Sequence, residues 1–441
     1  MAADVQAAVL GRVVDTLSAS AEVETAPSWR ALGLLILFSL LNFQINASTF
    51  NALGVVLPDM VQDLKWNWTE AGFGFTVLGA TVGLSSLAPA YVIRRFGVRT
   101  SVLVGVAIMT AGFIFLNRTS GIWTFFTGAA LCGLGYQMIS LITGVHVIAA
   151  LFHRRGLPLG LYFTFGALGG VAGPWTVWAV NQLAPHNWRF FWAAQGLLIV
   201  ILGLTCAALC GGRAWLAQVG ARTDATLNAE EPVPAEGGGW TVARAIRTPQ
   251  FLILLAAYFA QLLVGTSVAA LSVAHLTQRG VASTAALGML SVEALAQTLA
   301  RSAAAALGER LDPKVMLLAA LGAAAVGVGT LSFARDYPSM LLYAVASGIG
   351  FGLAGLAVTL LLLKYFGRAH NLEIFARICL VGAPAALGST LGGRLRDATG
   401  AFGSAFQLYA VLTALVLIAA TFMRPPALKA ASPERTSPPR G

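Results

Sequence analysis

Two charges stand inside an otherwise apolar stretch of the 441-residue chain, Glu293 and Arg301 in LSVEALAQTLARSAAAAL. With Gln297 between them they are spaced i, i+4, i+8, along one gently drifting face of a helix. At 1.5 Å per residue, Arg301 lies ~12 Å and Glu293 ~24 Å from Glu309, the acid at which the stretch ends. If the stretch crosses a bilayer, both fall inside a hydrocarbon core ~30 Å thick. A charge there costs at least ~2.5 kcal/mol and is kept where it faces a cavity or a partner. The guanidinium of Arg301 is suited to receive an anionic group through two parallel N–H donors, with Glu293 as a proton or charge partner. The competing reading is structural: the two charges stabilise a bundle, or Arg301 reaches the interface along its aliphatic stem.

Uncharged polar residues cluster elsewhere. Asn42, Gln44, Asn46, Ser48, Thr49 and Asn51 share one apolar segment, and Asn42 and Asn46, one turn apart, either line a cavity or tie helices together. Tyr136, Gln137, Ser140 and Thr143 fall on roughly one side of another segment, with His146 deeper. A lone intramembrane histidine either relays protons or satisfies a neighbouring backbone. Trp175, Trp178, Tyr258 and Gln261 offer pocket walls or ordinary packing. Cys132, Cys206, Cys210 and Cys379 lack metal-ligand spacing and read as small buried hydrophobes. Without a phosphate-cradling loop, a triad or a metal cluster, the expectation is a non-enzyme with no cofactor and no metal.

The elements that must position these residues follow from composition. The chain is 57% hydrophobic and 10% charged, against about 25% charged in soluble proteins, so it belongs in a lipid bilayer. Apolar segments fall at about 31–57, 71–93, 101–117, 122–150, 157–181 and 189–210, and again near 250–274, 284–307, 315–333, 339–363, 372–393 and 402–423. The expected fold is an all-α membrane protein of 12 transmembrane helices. Its expected divisions are an N-terminal tail over 1–28, a six-helix bundle over 29–210, a polar linker over 211–248, a second six-helix bundle over 249–424 and a tail over 425–441.

The net charge of +10 would raise the question of nucleic acid in a soluble protein. Counted loop by loop, 20 basic residues fall on the side of the N-terminus and linker and 7 on the other, with Arg301 on neither. That bias predicts that both termini are cytosolic, and it accounts for the charge as topology rather than nucleic-acid binding. Only four of the 28 basic residues are lysine, a bias expected of a GC-rich bacterial genome, which points to a bacterial inner membrane. Residues 90–99, AYVIRRFGVR, align with those from 305 at an offset of 215, placing Arg95 on Arg310, Arg99 on Lys314 and Arg94 on Glu309. LFHRRG at 151–156 has a weaker echo in YFGRAH at 365–370. Parallel repeats of this kind build secondary transporters.

With these residues in view the chain resembles the major facilitator superfamily, whose signature turn reads G-x-x-x-D-R-x-G-R-R. The first copy keeps Arg95, Gly97 and Arg99 but has Arg94 in place of the acid. The second keeps Glu309, Arg310 and Lys314, with Asp312 in place of the glycine. In the family this turn latches the two halves, and Arg94 departs from that arrangement. FHRRGLPLG, RTPQF at 247–251, YFG at 365–367, IF at 374–375 and RDATGAF at 396–402 resemble the monocarboxylate transporter and oxalate/formate antiporter branches. The resemblance implies that Arg301 binds substrate. Gln297 stands where monocarboxylate transporters have a proton-coupling aspartate, so Glu293 is the nearest acid.

Three functions are compatible with these features. The first is a secondary transporter of a small organic anion, a carboxylate by resemblance, working by alternating access and proton-coupled if Glu293 titrates. The second is a carrier of a larger neutral or amphiphilic compound such as a vitamin or drug. The third is a non-transporting sensor or assembly factor. The expected partners are a small-molecule substrate and the bilayer, with a monomer favoured.

Overall fold

The computed structural model describes residues 29–426 apart from 87, 153–155, 186, 211–239, 308–310 and 368–369. The described residues form helices and no strand. Eight helices precede the 211–239 segment: α1 (Trp29–Ser48), α2 (Phe50–Leu64), α3 (Trp68–Leu84), α4 (Ala88–Asn117), α5 (Ile122–Ile139), α6 (Leu141–Leu151), α7 (Gly156–Leu183) and α8 (Trp188–Leu209). Eight follow it: α9 (Val242–Ala245), α10 (Pro249–Gln278), α11 (Ser283–Leu307), α12 (Pro313–Leu331), α13 (Tyr337–Phe366), α14 (Asn371–Cys379), α15 (Gly382–Thr399) and α16 (Gly403–Thr421). Nine helical runs among the described residues are long and apolar enough to cross a membrane.

Local chemistry sets the helix starts. Thr248 accepts a hydrogen bond from the Phe251 N–H (3.2 Å) with Pro249 opening α10, so the RTPQF stretch is a capped helix start. Asp312 accepts from the Lys314 N–H (2.7 Å) before Pro313 at the start of α12. Asn67 and Glu70 form a reciprocal capping box at α3. Two apolar segments are broken within the bilayer-length run: Thr49 (φ −98°, ψ −104°) separates α1 from α2, and Ser140 (φ −80°, ψ −113°) separates α5 from α6.

Successive long helices alternate in direction. The end holding Trp29 and Leu209 is called the near end, since Arg30 Nη2 donates to the Leu209 carbonyl there (2.7 Å). The far end holds Leu64 and Trp68, and Arg189 bridges to Asp63 there (3.1 Å). Cations at helix C-termini offset the partial negative charge of the last carbonyls. At the corresponding point of the second helix group, Lys314 Nζ donates to the carbonyls of Thr421 (2.9 Å) and Met423 (2.8 Å). Arg99, which aligns with Lys314 at the 215-residue offset, lies within electrostatic range of Cys210 at the end of α8.

The helices before and after 211–239 meet through α2 with α10, α3 with α15 and α7 with α11. A Cβ at Gly54 would overlap the Ala269 carbonyl, one at Gly72 the Ser389 carbonyl, and one at Gly393 the Trp68 carbonyl. These close backbone approaches require glycine. Thr76 Oγ1 donates to the Ala386 carbonyl (2.7 Å), and Ser291 Oγ to the Val171 carbonyl (2.7 Å). At the far end Asp397 of α15 accepts from the N–H groups of Trp68 (3.1 Å) and Thr69 (2.8 Å), capping α3 from the other helix group. Gly79 would still meet Ala386, whereas Gly83, one turn on, faces open space, as does Gly160 of α7.

Candidate functional site: the space between the two helix groups

Arg301 sits on α11 two turns from its near end, with its side chain accessible. It lies within electrostatic range of Tyr136 on α5 and Tyr258 on α10, one phenol from each helix group. The guanidinium is thus accessible and flanked by side chains from both groups. Tyr258 is half-buried and packs edge-on against Phe375 of α14, with ring centroids 6.2 Å apart.

Tyr136 carries the site into the first helix group. Its hydroxyl donates to Asn46 Oδ1 (3.1 Å), and Asn46 Nδ2 donates to Asn42 Oδ1 (3.0 Å) and to the Asn42 carbonyl (2.8 Å). Asn42 Oδ1 also accepts from Ser140 Oγ (2.8 Å), while its Nδ2 donates to the Tyr162 carbonyl (3.3 Å). The Tyr162 hydroxyl donates to the Ser140 carbonyl (2.9 Å). This network surrounds the Ser140 break, so the amides of α1 satisfy groups that a continuous helix would not expose. Gln44 pairs with Gln195, and Asn51 Nδ2 donates to the Gly170 carbonyl (2.8 Å).

The other sequence-predicted residues are distributed around this line. Gln137 is buried and makes no side-chain hydrogen bond among the described residues. Trp175 and Trp178 are both about two-fifths exposed and meet edge-to-face at 6.2 Å; Trp175 lies opposite Gly288 of α11. Gln261 turns into the second group, where Nε2 donates to the Phe351 carbonyl (3.1 Å) and a small cavity lies beside Val264, Ala324 and Ala354. His146 is half-buried on α6 and engaged with its surroundings. Glu293 is buried against α13, where its own carbonyl packs on Gly348. It is therefore not brought together with Arg301.

Of the signature turns, the first is described. Gly97 has φ 82° and ψ 166° inside α4, a conformation open to glycine and strained for other residues. Arg94 Nε donates to the Ala90 carbonyl (3.3 Å), and Arg95 donates to the Tyr91 hydroxyl (3.1 Å) and lies over the Phe96 ring. Arg94, Arg95 and Arg99 are exposed. Glu309 and Arg310 of the second turn lie outside the described residues. Asp312 is held by Lys364 (2.8 Å) and by the Lys314 N–H; in that order these bonds hold its carboxyl below the usual aspartate range.

The Major Facilitator Superfamily model matches residues 34–376. The chain belongs to the Major Facilitator Superfamily. It is an integral membrane protein and a transporter; members of the family are transporters rather than enzymes. Monocarboxylate transporter 3 of Rattus norvegicus is 26% identical over 365 residues, covering 79% of this chain and 70% of the relative. A shorter match, 30% identical over 121 residues, joins 26% of this chain to 20% of the solute carrier family 2 facilitated glucose transporter member 10 of Xenopus tropicalis. Among solved structures, an aspartate-to-alanine mutant of the nucleoside transporter NupG superposes with a TM-score of 0.66 at 13% identity, covering 88% of this chain and 99% of that one. That likeness establishes the fold. The sensor or assembly reading finds no support in these relatives.

Two functional features lay beyond the sequence reading. Asp397 lies in the RDATGAF stretch, but its role as a cap on α3 depends on a contact 329 residues away. Tyr162 is the second, and its signal in the sequence is a tyrosine amid the glycines of α7.

Proposed function

We propose that the chain carries a small organic anion, a carboxylate, across a bacterial inner membrane by alternating access between two six-helix halves of a 12-helix transporter. The observation that supports this most is the accessible Arg301 between Tyr136 and Tyr258. A guanidinium at such a depth is costly unless an anion or partner compensates it, and among the described residues it has no salt-bridge partner. The similarity to a monocarboxylate transporter points the same way. With the near end cytosolic, as the excess of basic residues there argues, the described state is closed outward and open inward. Asn42, Asn46 and Tyr136 orient the ligand on one side and Tyr258 on the other. In this reading the exposed arginines of the first turn and Lys314 belong to the cytosolic gate, whereas Glu293 and His146 are the candidates for moving a proton.

Uptake of labelled mono- and dicarboxylates into proteoliposomes tests the proposal. The wild type should accumulate at least one of them, and Arg301→Ala should lose at least tenfold in rate, on the scale of one charge-assisted interaction. Equal rates for both proteins would overturn it. A second reading, transport of a neutral polar compound, is favoured by the uncharged Asn42–Asn46–Tyr136 network and by the likeness to a nucleoside transporter. In that case nucleosides or sugars would be carried and Arg301→Ala would leave the rate unchanged.

A further inference from the structure

Behind the central opening, α10, α11 and α13 enclose a group of oxygens around Glu293, a residue that the transport reading leaves only as a candidate for moving a proton. Glu293 is 8% exposed, and Tyr343 and Ser272 are fully buried. The α11 residue whose carbonyl packs on Gly348 is Glu293 itself. Helical side chains lean toward their own N-terminus, so the carboxylate is directed along α13 toward the level of Tyr343, five residues before Gly348. Glu293 and Tyr343 are within electrostatic range, and Ser272 stands beside the phenol. The two hydroxyls stand within reach of each other, yet neither meets a partner at hydrogen-bond geometry.

Such a group is expensive. Each buried polar atom left unpaired costs about 1–3 kcal/mol, and a buried carboxylate needs either a proton or a compensating charge. No described cation supplies it. Arg301 is directed between Tyr136 and Tyr258, α7 carries no charged residue and no histidine among its described residues, and His275, on the turn after Ser272, is engaged with the Leu331 carbonyl (2.9 Å). A proton would neutralise the carboxyl but leave both hydroxyls unpaired, whereas a unit positive charge that accepts hard oxygen donors meets all of these needs, because one carboxylate balances one charge and the remaining donors are hydroxyls.

We infer that Glu293, Tyr343 and Ser272 form a binding site for a bare monovalent cation, sodium, inside the second helix group and separate from the substrate opening. Occupancy satisfies all three oxygens and ties α10, α11 and α13 together at the level where α7 meets α11. The site is then the place where an ion gradient couples to transport, with sodium in place of the proton considered above at Glu293, in a chain whose Gln297 cannot titrate.

The test needs no substrate, so it is independent of the anion reading. The apparent unfolding temperature of the purified full-length protein is followed against sodium, lithium, potassium and choline chloride at constant ionic strength and at several pH values. Sodium should raise it in a saturating way and choline should not, as expected for a ligand that binds only the folded state. Glu293→Gln should abolish the response. Tyr343→Phe and Ser272→Ala should each shift the half-saturating concentration upward by about tenfold, the loss of one oxygen ligand. Arg301→Ala should keep the full response. If wild type responds alike to sodium and choline, or its stability follows pH alone, the group holds a proton or is purely structural and the inference is wrong. Should Glu293→Gln not fold, an unchanged sodium midpoint in both hydroxyl variants overturns the inference equally.

Discussion

Arg301 and Glu293 share a helix but not a surface, and the reason is angular. Eight residues at 3.6 per turn leave about 80° between them, enough to aim one at the opening and the other at α13. The i, i+4, i+8 spacing was legible in the sequence; which neighbour each end of the stripe would meet was not, because that depends on where α7 and α13 press on α11. The amides of α1 were legible as a cluster, and the structure resolves their work into a network around Ser140. Asn42 joins Ser140, Asn46 and the Tyr162 carbonyl. Replacing it with alanine strands those buried partners, so Asn42→Ala should destabilise the protein by about 2 kcal/mol or more. Tyr136→Phe removes a single donor and should cost only about 1 kcal/mol. Thermal unfolding in detergent would rank the two, and a reversed order would contradict the network as described.

At the scale of elements, the apolar segments announced the helices, while the breaks at Thr49 and Ser140 were invisible to hydropathy because the flanking residues remain apolar. Helix starts were more readable, since a capping residue followed by proline is a local signal, as at Thr248–Pro249 and Asp312–Pro313. Asp312 gives a pH prediction. Its carboxyl is held below the usual aspartate range, so the folded state favours the ionised form. The resulting stabilisation is present above the ordinary aspartate value of about 3.9 and is lost as pH falls through the lower folded-state value. Asp312→Asn should flatten that part of an acid-unfolding profile, and an identical profile in the variant would count against the bond to Lys364. The far-end contact between helix groups makes a separate prediction. A Cβ at Gly393 meets backbone of α3 rather than a movable side chain, so Gly393→Ala should disfavour the described state. A cysteine placed at Thr69 should then label faster from the far side, and an unchanged rate would show that the contact tolerates the methyl group.

For the molecule as a whole, the sequence made the family readable through Arg95, Gly97 and Arg99, and Gly97 has the left-handed backbone that the turn requires. It could not show where the two helix groups meet. That depends on contacts far apart in the chain, such as Asp397 with Trp68 and Gly54 with Ala269, which carry no local pattern. The structure joins the two helix groups at the far end and leaves Arg301 accessible between phenols of both groups, a geometry suited to receiving an anion there. The most direct measurement is ligand-dependent thermal stabilisation of the purified protein by mono- and dicarboxylates, with nucleosides and sugars as neutral controls, on wild type, Arg301→Lys and Arg301→Ala. At 100 times the dissociation constant a bound ligand should add about 2.7 kcal/mol of apparent stability. The account predicts that a carboxylate stabilises the wild type, does so weakly in Arg301→Lys because a bidentate fork becomes a point charge, and not at all in Arg301→Ala. Stabilisation of Arg301→Ala to the wild-type extent, or a response to the neutral compounds alone, would contradict it.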